Sequence, residues 1–373
     1  MKYYIIAGEA SGDLHGSNLM KAIYRRDPQA DIRFWGGDLM AAVGGTLVRH
    51  IRDLAYMGFV EVATHMGTVL GNISFCKKDI LEFRPDVMVF IDYPGFNLKI
   101  AKFTHKHGIK NVHYISPQLW AWKKGRMPAM RRDLDALCYI LPFERDFFAK
   151  NPFDGAVYVG HPLLDVAQSD YASESVNDRL IALLPGSRKQ ELRRMLPFML
   201  WLAANHPEYH FSIAGMRLLG DEFYHQLASQ ILPGGLPSNV DIVYDATYRL
   251  LARSYAAVVC SGTATLETTL FRVPQVVCYQ TNPLSAAIAR PLIGKRIKYI
   301  SLPNLIADAP VVCELIQEGV TQSRLEQEFV KITADTESRQ AILDGYDRAI
   351  SQMGGPGASS RTAEVIFKTI ERK

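Results

Sequence analysis

The stretch Ala256-Ala257-Val258-Val259-Cys260-Ser261-Gly262-Thr263-Ala264-Thr265-Leu266-Glu267-Thr268-Thr269-Leu270 carries three signals in succession. Residues 256–260 are an apolar run and read as a buried strand. A turn of small residues follows, and residues 267–270 read as the opening turns of a helix. Strand, tight turn and helix in that order are the unit of a parallel α/β sheet. Such a turn also suits an anion, because the first N–H groups of a helix lack partners within it and the dipole favours negative charge. Glu267, about two turns into the predicted helix, is in reach of a neutral hydroxylated group beside that anion. Phosphate next to sugar is the simplest ligand of this description, so the turn predicts a nucleotide seat formed by Ser261, Gly262, Thr263, Ala264 and Thr265 with Glu267.

Outward from this unit the same alternation continues in both directions. In the first half, apolar runs at 3–7, 32–35, 87–91, 111–115, 136–140 and 156–159 read as strands. In the second half the runs are 180–184, 209–214, 240–243, 256–260 and 275–279. The fold class is therefore α/β, with two doubly wound, Rossmann-like halves whose binding crevices face a cleft. The seam is expected after Gly160-His161-Pro162, where residues 168–178 are polar and lack an apolar period. This gives an N-terminal domain at 1–165 and a second domain at 166–350. Residues 353–360 break any helix, and a terminal helix follows within 351–373. It is expected to pack back on the first domain or on a partner subunit.

Composition narrows the class. The chain has 373 residues, 48% of them hydrophobic and 21% charged, with a formal net charge of +4. That mild excess fits an anionic small substrate or lipid surface and does not call for nucleic acid. Five cysteines (Cys76, Cys138, Cys260, Cys278, Cys313) have no zinc-site spacing and an odd count, which predicts free thiols in a reducing compartment. The N-terminal apolar run is too short for a signal peptide, and no apolar stretch is long enough to span a bilayer. A cytoplasmic protein is expected. The histidines include no metal-binding spacing, so neither metal nor other cofactor is expected.

Further candidates lie where strands meet helices. The loop Gly8-Glu9-Ala10-Ser11-Gly12-Asp13 follows the first strand; it reads as a crevice-lining loop or as a tight turn with Ser11 or Asp13 capping the helix. It is not a dinucleotide fingerprint, because G-x-G-x-x-G is absent. Asp92, directly after the run 87–91, reads either as a general base for a substrate hydroxyl or as a turn-forming residue. Asn97 closes the same segment. Gln118 and Trp120 sit after the run 111–115, where aromatics suit either sugar stacking or core packing. His161 stands near the seam, lining the cleft or bonding locally. In the second half, Leu184-Pro185-Gly186-Ser187-Arg188 brings Ser187 and a guanidinium suited to phosphate oxygens. With the 261–267 turn it predicts a diphosphate nucleotide. Asn304, in Ser301-Leu302-Pro303-Asn304, reads as a base or sugar ligand or as a loop residue. Residues 57–73 are apolar with few charges, which fits a core helix or an exposed surface touching lipid through Met57, Phe59, Val60, Val62, Met66, Val69 and Leu70.

The blocks AGEASGD (7–13), YMGFVEV (56–62), IDYPGFN (91–97), HYISPQLWAW (113–122), LPFE (141–144), GHPLLD (160–165), LLPGSR (183–188), SGTATLE (261–267) and SLPN (301–304) together resemble the lipid-A-disaccharide synthase family of Gram-negative bacteria. The resemblance spans roughly residues 1–305. It implies the two-domain glycosyltransferase fold called GT-B, which agrees with the two doubly wound halves. It implies inverting transfer of 2,3-diacylglucosamine from UDP-2,3-diacylglucosamine to 2,3-diacylglucosamine 1-phosphate (lipid X). The products would be the β(1→6) disaccharide 1-phosphate and UDP. Asp92 would be the base for the acceptor 6-hydroxyl, and Arg188, Ser187 and the turn at 261–265 would hold the diphosphate. Glu267 would take the ribose hydroxyls, and Asn304 would help hold the nucleotide. The loop at 8–13, with Glu9, Ser11, Gly12 and Asp13, would face the reacting centre from the other domain; Asn97, Gln118, Trp120 and His161 are the remaining substrate or cleft candidates. The apolar segment would meet the cytoplasmic face of the inner membrane peripherally, and a homodimer exchanging C-terminal segments is compatible with the family. Two rivals are a GT-B nucleotide-sugar 2-epimerase and a non-enzymatic nucleotide-dependent membrane adaptor.

Overall fold

A computed structural model describes residues 1–54, 66–120, 124–166, 171–281, 298–334 and 336–371. The chain divides into two units, Met1–Asp165 with Gly355–Lys373, and Val166–Gly354. The first unit holds strands β1 (Lys2–Ala7), β2 (Asp31–Gly36), β3 (Thr46–His50), β4 (Val87–Ile91), β5 (Lys110–Tyr114), β6 (Ala136–Tyr139) and β7 (Ala156–Tyr158). They form one sheet in the order β3-β2-β1-β4-β5-β6-β7, parallel throughout. The second unit holds β8 (Asn177–Leu184), β9 (His210–Gly215), β10 (Val240–Tyr244), β11 (Ser254–Cys260), β12 (Gln275–Tyr279) and β13 (Cys313–Ile316). Their order is β10-β9-β8-β11-β12-β13, again parallel.

Parallel strands are covered by helices on both faces, so the central ones are apolar without interruption. All five residues of β4, Val87-Met88-Val89-Phe90-Ile91, are buried. Each such side chain contributes about 1.5–3 kcal/mol on leaving water. The helix Ala10–Arg26 covers one face of this sheet with Leu19, Met20 and Ile23 and ends on Arg25 and Arg26, whose charges suit a helix C-terminus.

The sheet edges differ from the sequence reading. Strands β3 and β13 were not anticipated. Both are edge strands; β3 is partly exposed throughout and carries Arg49 and His50. Strand β8 starts at Asn177, so the polar residues Asn177 and Asp178, expected as linker, extend the ladder, and Asn177 pairs with Ser254. The terminal helix Ala358–Glu371 packs within this chain on helix Ala10–Arg26 and on β5 and β6.

Candidate functional site

In an open parallel sheet, ligands bind beyond the carboxyl ends of the strands, where the winding reverses. In the first unit that point falls between β1, which leads toward β2, and its neighbour β4, which leads toward β5. The residues just past these two ends are Gly8-Glu9 and Asp92-Tyr93. Gly8 lies beneath the Tyr93 ring; a Cβ there would come within 2.4 Å of it. The helix then starts at Ala10, so Ser11, Gly12 and Asp13 belong to its first turn rather than to a loop. Glu9 and Ser11 are exposed at this end, while Gly12 packs on Ala7.

Asp13 turns out to serve structure. Its carboxylate accepts backbone N–H groups from Gly37 (2.7 Å), Leu39 (3.0 Å) and Met40 (3.0 Å), capping the short helix Asp38–Val43. At 4% exposure it fastens the first turn of its own helix to the turn at 37–40 and does not present a free carboxylate.

Asp92 and Tyr93 both adopt left-handed backbone, with φ of 43° and 48°. Ile115, past the end of β5, has φ of 70°. Side chains with a Cβ rarely hold such angles, and the cost of order 1–3 kcal/mol at each concentrates at this edge of the sheet. The Asp92 N–H donates to the Tyr114 carbonyl at 2.9 Å, fixing the strained residue to the ladder. Burial raises the Asp92 pKa to about 6, the charge of Glu9 adds to the rise, and the Tyr93 N–H opposes it. A carboxylate with that pKa is ionised at neutral pH and still able to take a proton.

The other substrate or cleft candidates of this unit divide. Gln118 is exposed past β5, and the half-buried Trp120 packs edge-on against Phe143 at 4.9 Å. Asn97 is fully buried and its amide points at backbone, not outward. His161 is 3% exposed, accepts the Leu163 N–H at Nδ1, and is held neutral by burial, its pKa near 3. It supports a turn from the interior and does not line an open crevice. One residue passed over in the sequence is Glu144 of the LPFE block. Its buried carboxyl accepts the N–H groups of Ile140 and Leu141, and burial pushes its pKa to about 8. Met57, Phe59, Val60, Val62 and Trp122 lie outside the described residues. Met66 opens the helix Met66–Phe83, on which Val69 is partly buried and Leu70 is 59% exposed.

In the second unit the winding reverses between β8 and β11. Past β8, Gly186 takes φ of 112°, a region glycine enters freely. The helix Lys189–Asn205 follows. Its Glu191 reaches back to the Ser187 N–H (2.9 Å) and to the Arg188 guanidinium (3.3 Å), a variant of the capping box. The Arg188 side chain is 64% exposed.

Past β11, the helix Thr263–Leu270 begins after Gly262. Gly262 and Thr263 are exposed and Ala264 half-buried, so the first turn of this helix is open. Glu267 is one turn in, not two, and accepts the Tyr248 hydroxyl at 3.2 Å; burial raises its pKa. Tyr248 stacks on Phe271, which with Tyr171 builds an aromatic wall beside this carboxyl. Ser261 directs its hydroxyl to the Ile300 carbonyl. Thr265 is fully buried; its hydroxyl bonds the Gly262 carbonyl and receives the Leu302 N–H, tying the turn to the following segment. The Asn304 amide donates to the Val312 carbonyl and Glu314, and its oxygen accepts the Val312 N–H. Glu314 also takes the N–H groups of Ile300 and Ser301 and the Ser301 hydroxyl. Thr265 and Asn304, expected as nucleotide ligands, therefore use their side chains to tie the turn at 261–265 to the segments around it. Glu314, the hub of that network, carries no local signal in the sequence.

Two parallel sheets, each with polar residues at its reversal point, define the class. The chain superimposes on a UDP-GlcNAc 2-epimerase from Neisseria meningitidis with a TM-score of 0.65 at 12% identity, covering 99% of this chain and 100% of that one. It superimposes on the glycotransferase of kitacinnamycin with a TM-score of 0.63 at 16% identity, covering 99% of each chain. These likenesses establish the GT-B fold. The sequence model of the lipid-A-disaccharide synthetase family matches residues 3–369. A lipid-A-disaccharide synthase of Syntrophus aciditrophicus is 36% identical over 99% of this chain and 97% of its own length. One from Geobacter metallireducens is 34% identical over the same shares. The chain belongs to the lipid-A-disaccharide synthase family and is a glycosyltransferase of lipid A biosynthesis.

Proposed function

We propose that this enzyme transfers 2,3-diacylglucosamine from UDP-2,3-diacylglucosamine to the 6-hydroxyl of lipid X, with inversion at the anomeric carbon. Asp92 takes the proton of the acceptor hydroxyl as its oxygen bonds to C1. The C1–O bond to the diphosphate breaks, and UDP leaves with the electron pair. One displacement with one base yields the β linkage. Charge on the departing diphosphate is met by Arg188 and the first-turn N–H groups of the helix Thr263–Leu270. Glu267 receives the ribose hydroxyls. No metal or other cofactor enters this scheme.

The observation that carries the reading is Asp92 itself: a carboxylate at the reversal point of its sheet, held in strained backbone, with a pKa near 6. Because the base acts ionised, kcat/KM should fall as pH drops through about 6. Asp92→Ala should remove turnover while UDP affinity, measured by calorimetry, stays near wild type. Undiminished turnover would take Asp92 out of the mechanism.

The lipid substrates imply work at a membrane surface. No helix among the described residues is long and apolar enough to cross a membrane. Leu70 and Phe75, 59% and 41% exposed on helix Met66–Phe83, support a peripheral contact with the cytoplasmic face of the inner membrane.

A further inference from the structure

Asn97 sits on the first turns of helix Pro94–Lys106 and is fully buried. Its side-chain nitrogen lies 2.7 Å from the Asp92 carbonyl and 3.4 Å from the Ile91 carbonyl. Both oxygens only accept hydrogen bonds, so the atom facing them is the NH2 group. The chain between these partners contains the two consecutive left-handed residues, Asp92 and Tyr93. The same turn is closed from the other side, where the N–H groups of Phe96 and Asn97 donate to the Tyr93 carbonyl. A strained pair persists only where its surroundings over-determine it. Here one amide grips the carbonyl just before the bend and the carbonyl within it.

We infer that Asn97 is a positioning residue: its amide holds the Asp92–Tyr93 bend and thereby aims the Asp92 carboxylate at the acceptor hydroxyl. This rests on the reading of Asp92 as the base. Asn97 has no surface through which to touch substrate, and its NH2 group is already engaged by the bend. Without it the bend relaxes toward ordinary backbone, and the carboxylate moves outward into water. Misplacement of a reacting group by about 1 Å lowers a rate on the order of 100-fold. A carboxylate better exposed to water also loses part of the burial that raises its pKa.

The test compares Asn97→Leu, which keeps the volume and removes the amide, with Asn97→Ala, in transfer from UDP-2,3-diacylglucosamine to lipid X. Each variant is first checked for thermal unfolding and UDP binding, and rates are referred to the UDP-binding fraction. The expected result is a kcat lowered about 10- to 100-fold in both, with KM for each substrate and UDP affinity near wild type. The acidic limb of the rate should move to lower pH. Asp92→Asn is measured in parallel. If Asp92→Asn turns over at the wild-type rate, the base reading fails and this inference with it. If Asp92→Asn is inactive while both Asn97 variants keep wild-type kcat and limb, Asn97 does not position the base and only this inference falls.

Discussion

Asp92 carries opposite consequences for stability and for activity. An acid whose folded pKa lies above its unfolded value destabilises the fold wherever it is ionised. For Asp92 that penalty is absent below about pH 4, grows as pH rises toward 6, and is complete above it. Asp92→Asn, which removes the charge, should therefore be more stable than wild type at pH 8, by about 1 kcal/mol after allowing for the side chain's partial exposure. The difference should vanish at pH 4. Denaturant unfolding at both pH values checks this; equal stability at pH 8 would contradict the assigned environment. Arg188 belongs to another kind of residue. Its side chain is exposed past β8 and paired with Glu191; on the proposed mechanism it meets the diphosphate, so Arg188→Ala should weaken UDP binding by about 1.5–3 kcal/mol with little loss of folding stability. Unchanged UDP affinity would remove Arg188 from the seat.

Elements explain what the sequence made legible. Central strands such as β4 and β11 are buried on both faces, so they stand out as apolar runs, and the turns after them mark the binding edge. Edge strands β3 and β13 are half-exposed and mix charges with apolar residues, which leaves no run to recognise. The turns at the carboxyl ends of the strands were readable from this pattern, but the work of individual side chains was not. Asp13 caps residues 37–40, Thr265 meets Leu302, and Asn304 meets Val312 and Glu314; these partners are set by the packing of loops, and spacing does not reveal them. Asp165 is a further case. It ends the first pass of the chain through its unit and accepts the N–H groups of Gly357, Ala358 and Ser359, capping the helix Ala358–Glu371 on its return. Arg361 of that helix donates to the Val159 carbonyl at 2.7 Å. Asp165→Ala should cost about 1–2 kcal/mol and raise amide exchange in this helix first. Exchange rising evenly over the whole unit would argue against a local cap.

Across the molecule, one winding is used twice, and the two reversal points carry different chemistry. Between β1 and β4 lie the carboxyls of Glu9 and Asp92, and burial raises the pKa of Asp92 to about 6. Beyond β8 and β11 lie Arg188 and the open first turn of the helix Thr263–Leu270, suited to an anion. The fold alone does not choose between glycosyl transfer and 2-epimerisation, because structures with either name share it at 10–16% identity. In the proposed mechanism the base and the acceptor make the difference. The decisive measurement incubates the purified enzyme in detergent with radiolabelled UDP-2,3-diacylglucosamine, with and without lipid X, and follows UDP release and the linkage of the product by NMR. The account predicts UDP release only when lipid X is present, in step with a β(1→6) disaccharide 1-phosphate. Release of UDP without lipid X, or conversion of the donor sugar at C2 with no disaccharide formed, would contradict it.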